Sequence, residues 1–142
     1  MAGLEDIRLA LGNTLQKVIP DLRVYAQEPD GLREYPFIVV NPTEVIDYGN
    51  QALGSENVSF HMTTTLYVMA QSSEEGWRQV DDYRAWNGAR SVRIAIKDNN
   101  TLGGVVEYAE VVRSAAAERN PETDQSAWEF ACVFTVLILQ NQ

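Results

Sequence analysis

The sequence predicts an α+β fold: a mixed, mostly antiparallel central sheet packed by an N-terminal helix and a central helix or helix pair, with an extended strand arm and long loops. Three observations predict it. Residues 58–70 alternate apolar and polar side chains, residues 127–139 are apolar on both faces, and helical stripes are confined to residues 4–19 and 72–97. Strands grouped around two helical regions argue against the strict alternation of a parallel fold. The 142 residues form one expected domain, 1–142, large enough to bury a single core without disulfide or metal staples.

In residues 4–19, Leu4, Ile7, Leu11, Leu15 and Val18 recur at three- and four-residue steps, while Glu5, Asp6, Arg8 and Lys17 occupy other faces. That is the pattern of an amphipathic helix, and Pro20 ends it. Leu22, Val24 and Ala26 then alternate with Arg23 and Tyr25 in a short strand that stops at the turn tetrapeptide Glu28-Pro29-Asp30-Gly31. Residues 35–40 are denser in apolar side chains and predict a more buried strand, closed by Asn41-Pro42. In residues 58–70, Val58, Phe60, Met62, Leu66, Val68 and Ala70 share one face, interrupted only by Thr64. Ser59, His61, Thr63, Thr65 and Tyr67 share the other, so one side is expected to be packed and the other wet or at an interface. Strands average about 5 to 6 residues, so the outer end of this one is expected to run past the body of the domain as an arm.

Ser72 stands three residues before Glu75, the spacing of a capping box at a helix start. Trp77, Val80 and Tyr83 or Arg84 continue one helical face; Gly88 kinks or splits it; Ala89, Val92, Ala95 and Ile96 resume the stripe. The helical pattern ends at Lys97. Asp98-Asn99-Asn100 and the pair Gly103 and Gly104 let the backbone reverse, which predicts a positive φ at Gly103 or Gly104 and a β-branched strand from Val105 onward. The final strand sets Trp128, Phe130, Cys132, Phe134, Val136 and Ile138 on one face and Ala131, Val133, Leu137 and Leu139 on the other. Apolar on both sides, it is expected in the middle of the sheet with both faces covered.

With 20 Asp and Glu against 11 Lys and Arg, the formal charge is −9, and the average surface repels nucleic acid. A protein that must let DNA slide past carries the same sign. Cys132 is the single cysteine and sits in an apolar strand, the setting of a buried structural thiol in a chain folded in a reducing cytoplasm. No apolar run approaches the roughly 20 residues of a membrane span, and residues 1–6 lack the basic start of a signal peptide, so a soluble, unexported chain is expected.

His61 is the single histidine, which leaves no transition-metal ligand set and no nucleophile, base and orienter arrangement. The pairs Asp81/Asp82 and Glu74/Glu75 are sequence neighbours on a helix and point apart, as on a solvated face. Gly103-Gly104 precedes a strand instead of opening a helix, so it is no phosphate loop. Trp77 and Trp86 have too few basic neighbours for base stacking and are read as core anchors or protein contacts. Catalytic, cofactor-binding and metal-binding residues are therefore predicted to be absent, and no cofactor is expected. Two long connections remain, residues 43–57 and 116–126. Tyr48, Gly49, Asn50, Gln51, Ala52, Leu53, Gly54 and Ser55 in the first form a candidate docking loop, with Tyr48 and Leu53 as apolar anchors in a Gly/Asn/Ser setting.

The Leu102-Gly103-Gly104 turn, the strand at residues 35–40, the long alternating strand and the final apolar strand together resemble the tail-terminator or tail-completion proteins of long-tailed bacteriophages. The resemblance spans almost the whole chain. It implies a structural virion protein, not an enzyme, that assembles in the host cytoplasm and forms a homo-oligomeric ring, hexameric by analogy, at the head-proximal end of the tail tube. Its partners would be itself, the tail tube protein and a neck connector protein, with DNA passing through the pore unbound and no membrane involved. A neck or head-completion connector on the portal side is the alternative from the same assembly. A small ligand-binding or enzymatic domain is the alternative from another class.

Overall fold

Along the chain lie α1 (Leu4–Val18), β1 (Arg23–Tyr25), β2 (Phe37–Val40), β3 (Ile46–Asp47), β4 (Asn57–Ala70), α2 (Ser73–Arg84), α3 (Val92–Lys97), β5 (Tyr108–Arg119) and β6 (Trp128–Asn141). The computed structural model describes residues 3–25, 34–41, 46–47, 57–119 and 128–141. The sheet has the order β1-β2-β4-β6-β5, and β3 lies beside β4 on the same side as β2. β1 and β2 run parallel, and every other described pair is antiparallel. This is the α+β architecture the periodicities predict.

Helix α1 starts with its dipole complemented by Glu5 and Asp6, and the Asp6 carboxylate accepts the Gly3 N–H at 3.2 Å. Ile7, Leu11 and Leu15 are fully buried, whereas Leu4 and Val18 at the ends of the stripe are partly exposed. Gly12 faces the sheet: a Cβ there would come within 2.9 Å of Val24 Cγ1, so the missing side chain seats α1 directly on β1 and β2.

Helix α2 opens on Ser72, whose Oγ accepts the Glu75 N–H at 3.2 Å. Gly88 at φ 125 lies in the break between α2 and α3, as its position in the stripe predicts. The break is held by Ser91, fully buried, which donates to the Ala85 carbonyl at 2.6 Å and accepts the Ile94 N–H at 3.2 Å. The turn after α3 has positive φ at both glycines, 76 at Gly103 and 91 at Gly104, and also at Leu102, where φ is 51. Leu102 is buried in the core, which holds a conformation that leucine rarely adopts. The Thr101 carbonyl accepts N–H groups from Gly104, Val105 and Val106, so these valines belong to the turn. The strand expected from Val105 begins at Tyr108 instead, and it runs to Arg119, shortening the connection predicted from residue 116.

All three helices share one core with Phe60, Met62, Leu66 and Val68 of β4 and with Phe130, Cys132, Phe134, Val136 and Ile138 of β6. Two expectations are corrected here. β4 is paired with β6 from Asn57↔Asn141 to Ala70↔Trp128, so its length serves a continuous ladder and no free arm exists among the described residues. β6 does lie inside the sheet, between β4 and β5, but among the described residues the helices cover only one of its faces. Ala131, Val133, Leu137 and Leu139 on the second face remain half-buried, because the described helices all pack on the other side.

Candidate functional site

That second face divides into two parts of different chemistry. Toward β1 it is closed by its own aromatics. Phe37 stacks on Tyr67 at 4.9 Å between ring centroids, and Tyr25 and Tyr35 meet its other edges at 5.6 and 5.2 Å. Phe37 is fully buried, and the Tyr35 hydroxyl reaches across β4 to donate to Glu129 Oε2 on β6 at 2.5 Å. The alternation in β2 could not reveal this cluster, since it depends on parallel pairing of Arg23–Tyr25 with Phe37–Val39.

Toward β5 no described helix packs on the face. His61 is exposed on it and opposes Leu137; half-buried Thr63 opposes Thr135; Thr65, which is buried, opposes Val133. Asn41 ties the threonines together, its Nδ2 donating to Thr63 Oγ1 at 3.1 Å and Thr65 Oγ1 at 2.9 Å. Continuing across the sheet, Glu110, Arg113 and Ala115 of β5 flank Leu137, Thr135 and Val133. The result is a mixed threonine and aliphatic surface, the composition of a contact face and not of a pocket. β5 is the edge strand, paired only with β6 among the described residues, and it carries a bulge at Val112.

The acidic pairs lie elsewhere. Glu74, Glu75, Asp81 and Asp82 are exposed on α2, where Arg78 approaches Glu74 at 3.7 Å and Arg84 approaches Asp81 at 3.9 Å, both within the helix. Among the described residues no three His, Cys, Asp or Glu side chains come together as a metal-binding group. Cys132 is buried on the core face of β6, and burial pushes its thiol up to about 11, away from the reactive thiolate. Trp77 is half-buried and meets Phe130 edge-on at 5.3 Å, the anchor expected of it. Trp86 is 69% exposed. Gly103 and Gly104 serve the turn, and the candidate docking loop Tyr48 to Ser55 lies outside the described residues. No described helix is long and apolar enough to cross a membrane.

The sequence matches no protein-family model and no curated protein. Among solved structures it is similar to a chain of the virion of a native gene transfer agent (GTA) particle, at 12% identity over 93% of each chain and a TM-score of 0.44.

Proposed function

We propose that this chain is a structural protein of a phage-type particle, which closes into a ring at the head-proximal end of the tail tube, stops tube growth and offers a surface to the neck. The half-buried second face of the sheet carries this reading: two 14-residue strands, β4 and β6, are built and paired at full length, yet the described helices pack on only one of their faces. A sheet that leaves half-buried aliphatic side chains beside an edge strand unpaired among the described residues is suited to contact with neighbours, and a heterologous contact of that kind forms a ring when its rotation closes. The net charge of −9 suits a channel through which DNA moves without sticking. The resemblance in turn, strands and helix order to tail terminators supplies the particular role.

The test is a phage that lacks the protein. Infected cells are expected to accumulate tails of abnormal length that fail to join heads, and micrographs of complemented particles are expected to show a ring at one tube end. Tails of normal length that still fail to join heads would move the protein to the portal side of the neck. A turnover lost on His61→Ala, or normal joined particles without the protein, would overturn the assembly reading.

A further inference from the structure

Charge is unevenly distributed over this acidic chain. Four of its 11 Lys and Arg, namely Arg84, Arg90, Arg93 and Lys97, fall within residues 84–97, a stretch containing no Asp or Glu. The fold brings part of this stretch against β5. Arg84, Trp86 and Arg93 form one wall of an open groove of about 390 Å³, and the consecutive residues 110–114 of the edge strand form the other. The Arg93 guanidinium lies over the Trp86 ring at 3.4 Å from its centroid and donates to the Trp86 carbonyl at 3.0 Å. Arg84 Nε spans the groove to donate to Ser114 Oγ at 3.1 Å.

The groove thus holds an indole 69% exposed and, at the bulge, Val112 47% exposed, both beside fixed guanidinium groups. Trp and Arg side by side are the residues in which binding energy concentrates at protein interfaces. A stacked arginine is also held in place before a partner arrives, which lowers the entropy lost on contact.

We propose that this groove receives an acidic surface of a second copy of the same chain, and that it is the head-to-tail contact between neighbouring subunits. The inference rests on the ring reading and locates its interface. Charge complementarity selects the occupant: with those four cations set aside from 11, the rest of the chain holds 20 acidic residues against 7 basic ones. A basic groove repels its own image, so it cannot pair with itself about a twofold axis. It meets a different surface of the neighbour, and contacts of that type propagate around a ring. Nucleic acid fits less well, because Arg93 already covers one face of the indole.

The experiment is sedimentation velocity on the full chain at low and high salt, comparing wild type with Arg84→Glu/Arg93→Glu and with Trp86→Ala. Melting curves confirm that each variant is folded, and Arg93→Gln replaces the double variant if it is not. The proposal expects a wild-type oligomer that salt weakens, and self-association at least about tenfold weaker in both variants. Variants that assemble as wild type does overturn the groove assignment and leave the ring reading standing. A wild-type chain that is monomeric at every concentration overturns both. Binding of a labelled DNA duplex by wild type, abolished by the charge reversal, assigns the groove to nucleic acid and overturns the proposal.

Discussion

Thr64 is fully buried on the core face of β4, and its Oγ1 meets no hydrogen-bond partner among the described residues. A buried hydroxyl without a partner costs about 1 to 3 kcal/mol, and valine has nearly the same shape without the hydroxyl. Thr64→Val is therefore expected to stabilise the domain by about 1 kcal/mol or more, a rise of roughly 3 to 5 °C in melting temperature for a chain of this size. An unchanged or lower melting temperature would show that the hydroxyl is satisfied. In the sequence Thr64 is visible only as the interruption of an apolar face; that it points inward follows from the same alternation that places Phe60, Met62 and Leu66. Cys132 on the neighbouring strand gives a second residue-level prediction. Its thiol is raised to about 11 chiefly by burial, partly offset by the positive charge of Arg84. The unfolded chain loses this proton first, so the contribution to stability is complete below the ordinary thiol range and is lost as pH rises through the folded value. The native protein is expected to resist thiol reagents at pH 8 and to react on addition of denaturant, and Cys132→Ala is expected to flatten the alkaline limb of the stability curve. Rapid labelling of the native protein would place the thiol at the surface.

Elements whose burial is one-sided were legible because their periods are imposed by geometry. α1 and β4 follow from steps of three to four and of two, and the break between α2 and α3 from Gly88, whereas β6, apolar on both faces, shows its place inside the sheet but not that the helices pack on one side of it. Val105 and Val106 mislead for a physical reason. Their β-branched side chains suit a strand, but three successive left-handed residues before them and the shared Thr101 carbonyl keep them in the turn. The groove over β5 is nearly invisible in sequence, because Trp86 and Arg93 meet through an irregular connection that has no period. The acid-free stretch of residues 84–97 is its one trace. Packing distance between elements is equally hidden, and Gly76 shows how closely it is set. A Cβ on Gly76 would stand 1.9 Å from Phe130 Cε2, inside the ring of a side chain that is itself fully buried between α2 and the sheet. Overpacking of a close-packed core costs about 1 to 3 kcal/mol, and here neither helix backbone nor ring has space to yield. Gly76→Ala is expected to destabilise by about 3 kcal/mol or more by chemical denaturation, with partial recovery in Gly76→Ala/Phe130→Leu. Wild-type stability in the single variant would mean that α2 sits farther from β6.

At the scale of the molecule, the described helices pack on one face of the sheet only, its edge strand is unpaired among the described residues, and its charge is segregated, three properties that a lone domain does not require. The docking role proposed for Tyr48 to Ser55 can be separated from folding because of how the flanking strands are paired. Asp47 on β3 opposes Ser59 on β4, so the two ends of this connection are already held together by the sheet. Deleting Gly49 to Gly54 leaves Tyr48, Ser55, Glu56, Asn57 and Val58 between the paired residues, a link of five, within the roughly 2 to 5 residues that hairpin loops use. Closing a shorter loop also costs less chain entropy. The core residues of β4, from Phe60 to Ala70, are untouched by the cut. The deletion variant is expected to retain its far-ultraviolet spectrum and a cooperative melt, while rings or joined particles fall in number by light scattering and by counting in micrographs. Loss of the cooperative melt would make the loop part of the fold. Assembly at wild-type levels in a folded deletion variant would remove the loop from the contact surface and leave the second sheet face and the Trp86 groove to carry it.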